Sequence, residues 1–302
     1  MKRIMVILLR IKPKIFSPEE KEEIRQKMIE ENRRQNRDVF SCETDLIDSL
    51  SIEKITLNNC DAWLIRKDDN PEDKIVYYIH GGGFVNSCTR SRMKFISYVV
   101  RNFHNNVFSI DYRLAPEYMY PCALNDCLEG YETLLKDYKN ENIVFVGESA
   151  GGNLILSLSL LLKEKGLQQP AAIFSNSPAT QLADYTDSYR NYSLKRDFIV
   201  TEGIIENTEG IYFNKEDARN PYVSPLYGDL KGLPPVWLSA SNCECLLDDS
   251  IMMHEKLKEA GNDTILQTYD DLCHAFIISP QMKEVVKNAY PDFKTFLNQY
   301  LR

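Results

Sequence analysis

The sequence predicts an α/β fold with a mostly parallel sheet, and three observations carry that expectation. Eight short β-type runs alternate with helical patterns along the chain. Several runs, such as Ile75-Val76-Tyr77-Tyr78-Ile79 and Ile143-Val144-Phe145-Val146, are apolar throughout, as strands covered on both faces must be. The chain has 302 residues with 43% hydrophobic and 26% charged, including 17 Tyr and 13 Phe, which suffices for a sizeable core and excludes a disordered or collagen-like chain.

The elements follow in order. Ser17-Pro18-Glu19-Glu20 is a capping box with proline at the first helical position, so a helix is expected from Pro18 into the polar segment 32–37. The β-type runs are 52–57, 62–66, 75–79, 107–112, 143–146, 171–175, 236–240 and 264–269. Helical patterns lie between them near 90–103, 122–137, 150–165, 248–260 and 281–300. The apolar stretch 154–162 is shorter than the roughly 18 residues of a membrane span and reads as a buried core helix. Residues 178–222 break the alternation: they are rich in Tyr and polar residues and hold no clean strand. Two units are therefore expected, an N-terminal helical cap segment over 1–50 and a main α/β domain over 51–302, with 178–222 a cap insertion over the sheet.

Charge and cysteine usage narrow the setting. The net charge of -8 lacks the basic footprint that a nucleic-acid partner requires. The apolar run at 4–9 stops at Arg10, shorter than the roughly 7–15 residues of a secretory core, so no leader is expected. Five Lys or Arg within the first 14 residues read as a solvated basic segment, with no stable membrane insertion. Eight cysteines form no C-x-x-C pair, which fits free thiols in a reducing cytoplasm. A homodimer is compatible with the sequence, which leaves the oligomeric state open.

Two glycine-rich turns carry the chemistry. Gly147-Glu148-Ser149-Ala150-Gly151 reads G-x-S-x-G between an apolar strand and a helical run. In that context a tight strand-to-helix turn lifts a serine hydroxyl out at the sheet edge, with the helix N-terminus behind it favouring negative charge. His80-Gly81-Gly82-Gly83 follows the strand 75–79 and leaves bare backbone N–H groups able to donate to an oxyanion; with no following G-K-[ST], a phosphate cradle is disfavoured. A serine nucleophile needs a base, and the chain offers four histidines. His80 belongs to the glycine loop, His104 to a polar helix end and His254 to a helix, which leaves His274, in the loop after the last strand. The orienting acid should lie between serine and histidine in chain order. Glu244 comes first in the loop after 236–240, with Asp248 in reserve because Asp248 and Asp249 look like helix-start acids.

Four segments together resemble the hormone-sensitive lipase family of α/β-hydrolases, the group that includes many bacterial carboxylesterases. They are His80-Gly81-Gly82-Gly83, Asp111-Tyr112-Arg113-Leu114-Ala115-Pro116-Glu117, Gly147-Glu148-Ser149-Ala150-Gly151-Gly152 and His274-Ala275-Phe276. Tyr222-Val223-Ser224-Pro225-Leu226 and Leu233-Pro234-Pro235 are similar to the family's approach to the acid strand. The resemblance implies the α/β-hydrolase fold, with an eight-stranded, mostly parallel sheet, helices on both faces and a helical cap. It implies Ser149 as nucleophile, His274 as base and oxyanion donors at the N–H groups of Gly82, Gly83 and Ala150. Segment 111–117 is implied to be scaffolding. The acid motif departs from the family's Asp-Pro-Leu: here Glu244-Cys245-Leu246 stands in its place.

The expected reaction is hydrolysis of a small-molecule ester through an acyl-enzyme, needing no metal and no organic cofactor. With no long apolar lid stripe, short-chain or otherwise soluble esters are expected. An aryl amidase or sugar deacetylase would use the same triad, and a non-catalytic receptor could share the fold. Cys243 and Cys245 flank the candidate acid and Cys273 adjoins the candidate base. They read as buried inert thiols, the alternative being oxidation that displaces Glu244 or His274.

Overall fold

The computed structural model describes residues 17–35, 49–192, 197, 199–200 and 208–301. The apolar run at 4–9, Cys42 of the eight cysteines and much of the 1–50 segment therefore lie outside the described residues. Eight strands form one sheet: β1 (Ser51–Thr56), β2 (Asp61–Arg66), β3 (Ile75–Ile79), β4 (Asn106–Asp111), β5 (Ile143–Glu148), β6 (Ala172–Asn176), β7 (Val236–Ser241) and β8 (Thr264–Tyr269). Their spatial order is β1-β2-β4-β3-β5-β6-β7-β8. β2 pairs antiparallel with β1 and β4, and all remaining pairs are parallel. All eight predicted runs are strands, each within a residue or two of its expected place.

Parallel pairing requires crossovers, and the helices supply them on both faces. They are α1 (Pro18–Gln35), α2 (Arg90–Asn102), α3 (Cys122–Leu134), α4 (Ala150–Glu164), α5 (Asp187–Tyr192), α6 (Leu247–Glu259) and α7 (Tyr290–Tyr300). The side chains of β3 divide by strand alternation. Ile75, Tyr77 and Ile79 enter the core under α3, α4 and α6, while Val76 and Tyr78 enter the core under α2 and α7. α4 is buried along its whole length from Ala150 to Leu162. Its two interior hydroxyls are bonded, Ser157 to Asn153 Oδ1 and Ser159 to Gln169 Oε1, so the apolar burial carries no unpaired polar group there.

Two elements refine the sequence reading. The capping box closes reciprocally, with the Glu20 N–H on Ser17 Oγ at 3.2 Å and the Ser17 N–H on Glu20 Oε2 at 3.0 Å, and the helix ends at Gln35. The last helical pattern is not uniform: a π-helical turn, Val285–Ala289, precedes α7. Pro291 opens α7 and has no N–H to continue the usual ladder, so the pitch changes just before it. In 178–222 the described residues form α5 and one short 3-10 turn, Lys215–Asp217, with an isolated bridge between Glu209 and Phe213 and no regular strand. α1 reaches the body through Arg25, whose Nη2 donates to Pro116 O at 3.3 Å, and through Met28 against the core.

Candidate active site

The turns after β3, β5, β7 and β8 leave the same carboxyl end of the parallel strands, where ligands bind in open α/β sheets. Ser149 sits between β5 and α4 at φ 55° and ψ −121°, a backbone state that side chains rarely adopt. The turn is held by the Ser149 N–H on Asn176 O at 2.9 Å and by close packing at Gly151. A Cβ on Gly151 would lie 2.0 Å from the Ile79 carbonyl oxygen, so only glycine lets α4 start against the end of β3.

His274 Nε2 lies 2.9 Å from Ser149 Oγ, and His274 Nδ1 lies 2.7 Å from Glu244 Oε2. The pairing fixes the tautomer: Nδ1–H donates to the carboxylate, leaving Nε2 to accept the serine proton. Glu244 and His274 are almost wholly buried, whereas Ser149 is half-buried. Burial alone would depress the His274 pKa, but the hydrogen bond and charge of Glu244 outweigh it and raise the value. Glu244 Oε1 accepts the Ser241 N–H at 2.8 Å, so both carboxylate oxygens are used. The reserve acid, Asp248, is turned elsewhere and accepts the Ser188 N–H at 2.7 Å.

The glycine loop lies alongside. Gly82 and Gly83 have φ 113° and 63°, and among the described residues the N–H groups of Gly82, Gly83 and Ala150 donate no hydrogen bond. Three backbone N–H groups are thus left able to donate to a bound group. His80 is fully buried, stacked on Tyr112 at 4.3 Å, and held neutral because burial and nearby Arg92 push its pKa down to about 3. It belongs to the scaffold, as does Arg113, which grips Asp126 through two nitrogens. A narrow cavity of about 40 Å³ opens at Ser149, bordered by Gly83, Ala179, Leu182, Tyr189, Val200 and Leu246.

Several supporting residues had no signal strong enough to find them in the sequence. Ser177 Oγ accepts the Ala275 N–H at 3.1 Å and so fixes the residue after His274, itself at φ 56°. Asp197, from the insertion, accepts the Cys245 N–H at 2.9 Å beside the candidate acid. Asp249 Oδ1 accepts the Thr180 and Gln181 N–H groups, and burial raises its carboxyl to about 7. Burial also pushes the thiols of Cys245 and Cys273 up, away from the reactive thiolate.

Residues 76–278 match the family described as the alpha/beta hydrolase fold. The chain belongs to this family. Among α/β-hydrolases it is similar to Esterase LipU of Mycobacterium tuberculosis, 31% identical over 241 residues that cover 76% of the chain and 80% of the relative. It is also similar to an esterase of Acinetobacter venetianus, 29% identical over 74% of each chain. A crystal structure of an esterase from the bacterial hormone-sensitive lipase family superposes with a TM-score of 0.80 at 28% identity, covering 95% of this chain and 99% of that one. The esterase EstE5, in a crystal soaked with p-nitrophenyl butyrate, gives 0.80 at 28% identity over 99% and 98% of the two chains. The α/β-hydrolase fold and the hormone-sensitive lipase resemblance expected from the motifs are both borne out. No described helix is long and apolar enough to cross a membrane.

Proposed function

We propose that this α/β-hydrolase is a serine carboxylesterase acting on short-chain or otherwise small soluble esters, with Ser149 as nucleophile, His274 as base and Glu244 as orienting acid. The observation that carries the reading is the continuous relay from Ser149 Oγ through the imidazole to a buried carboxylate, opening at a small cavity. Relatives named as esterases also align with this chain over most of their length.

In this mechanism Ser149 Oγ attacks the acyl carbonyl while His274 Nε2 takes its proton. Glu244 stabilises the imidazolium and keeps the ring in register. The carbonyl oxygen becomes an oxyanion among the N–H groups of Gly82, Gly83 and Ala150. His274 then returns the proton to the leaving alcohol, and water repeats the sequence on the acyl-enzyme. A cavity of about 40 Å³ bordered by Leu182, Tyr189 and Leu246 suits a small acyl group better than a long chain. Residues 178–222 act as a cap insertion in this reading, because Tyr189 and Val200 close one side of that cavity. α1, from the N-terminal segment, is the other cap element in this reading; its Arg25 reaches Pro116 O and Met119 Sδ. The free cysteines among the described residues support a cytoplasmic setting.

The test is hydrolysis of p-nitrophenyl esters from acetate to palmitate, wild type beside Ser149→Ala. Turnover concentrated on short chains and lost in the variant is expected. Equal rates for the two proteins, or a preference for palmitate, would overturn the reading.

A further inference from the structure

One buried charge pair is left unused by that mechanism, and it joins the two glycine turns. Glu148, the residue before the nucleophile, is fully buried. Its Oε1 accepts Arg92 Nε at 2.6 Å and the Gly81 N–H at 2.8 Å, and its Oε2 accepts the Tyr78 hydroxyl at 2.8 Å. Arg92, from the first turn of α2, continues outward: Nη1 donates to Thr89 Oγ1 at 3.3 Å and to Ser87 O at 3.5 Å. One carboxylate and one guanidinium therefore reach both ends of the loop that presents the Gly82 and Gly83 N–H groups. Inside the loop, Gly82 O accepts the N–H groups of Val85 and Asn86 and the Asn86 side-chain amide, so the loop is a compact turn that moves with its ends.

We propose that Glu148 and Arg92 are a positioning pair that sets the oxyanion loop at a fixed distance from the nucleophile. The pair touches neither substrate nor reacting atoms, and the inference rests on the esterase reading above. The physical reason lies in what a buried ion pair does well. Its desolvation cost makes it a poor source of net stability, but its two charges demand a single mutual geometry, and here that geometry includes Gly81. A hydrogen bond between neutral groups would leave the loop freer to drift. The oxyanion donors must be in place before charge develops, because reorganising them in the transition state costs rate. The guanidinium stays charged in this setting: burial opposes its charge, and Glu148 more than restores it.

The test compares wild type with Glu148→Gln, which keeps an acceptor for Gly81 but removes the charge, and Arg92→Lys, which keeps a cation but loses the reach to Ser87 and Thr89. For Glu148→Gln, kcat on a short-chain ester should fall about tenfold to hundredfold with KM little changed, less than outright loss of a donor because the groups are displaced and not deleted. Affinity for a trifluoromethyl ketone, whose adduct with Ser149 Oγ places an oxyanion in the same site, should fall by the same factor as kcat/KM. Arg92→Lys should show a smaller loss of the same kind. In both variants amide exchange over residues 80–89 should quicken, while α4 and β5 stay protected. A loss that disappears on the high-pH plateau would overturn the proposal, since the charge would then act on His274 and not on the loop. Unchanged exchange over 80–89 would also overturn it. Should the wild type cleave no ester, the esterase reading fails by itself, and the exchange comparison still decides the pair.

Discussion

The two sides of the site are built by different means. On the nucleophile side, the turn at Ser149 is fixed by backbone: a strained φ at Ser149 itself, and a carbonyl 2.0 Å from where a Gly151 Cβ would be. On the acid–base side, Glu244 and His274 stand on loops stitched together by side chains. Ser241 Oγ donates to Leu272 O, Asn242 Nδ2 donates to Asp270 Oδ1 at 2.7 Å, and Ser177 and Asp197 hold the neighbouring backbone. Steric fixation tolerates almost no substitution, whereas a network of side-chain bonds can lose one member and keep its shape.

Substitutions on the two sides sharpen that contrast. Ser149→Ala should lower kcat/KM by about 10⁴-fold or more while leaving the urea midpoint near wild type, because the nucleophile is lost and the turn is not. Glu244→Gln should lower kcat by about 10³–10⁴-fold, since the imidazole loses the partner that sets its tautomer. The same variant carries the pH test. On the proposed mechanism activity needs neutral His274, whose pKa Glu244 raises above the ordinary value of about 6.5, so kcat/KM should fall as pH drops through that raised value. Without the Glu244 charge, the acid limb of the residual activity should move to lower pH; a limb that stays put would mean that another group sets it.

Gly151→Ala adds one methyl on the nucleophile side and should destabilise the fold by about 2–3 kcal/mol in urea unfolding, through overlap with Ile79 and His80. Ser177→Ala removes one acceptor on the acid–base side and should lower kcat only several-fold, with the Ala275 N–H left unpaired. A loss as deep as that of Glu244→Gln would erase the distinction between the two sides. Asp248→Asn should leave kcat/KM close to wild type, since Asp248 serves the Ser188 N–H and not the imidazole.

The same contrast explains what the sequence made legible. Fully buried parallel strands and glycine-marked turns write themselves as apolar runs and G-x-S-x-G, so the sheet and Ser149 stood out early. His274 follows from eliminating three other histidines and from the segment His274-Ala275-Phe276, and Glu244 from chain order and its place at the start of its loop. Glu148 was in view as a motif position, yet nothing in its neighbours announces Arg92, which is 56 residues away in the chain. Asp197 and Ser177 were invisible for the same reason: a side-chain bond to distant backbone leaves no periodic trace. The π-turn before α7 is hidden because its residues fit the same helical pattern as the rest of 281–300.

Ser149 and His274 are separated by 125 residues, and the second arrives only with the strand at the edge of the sheet. Closing so long a span is entropically slow, and such non-local pairings tend to form late. In refolding, the burial of β3, β5 and α4 can therefore precede any activated serine. A chain caught before β8 docks would carry an exposed hydroxyl with no base beside it. On the esterase reading, catalytic power is thus withheld until β8 has docked, and regain of ester turnover should lag behind regain of helical circular dichroism.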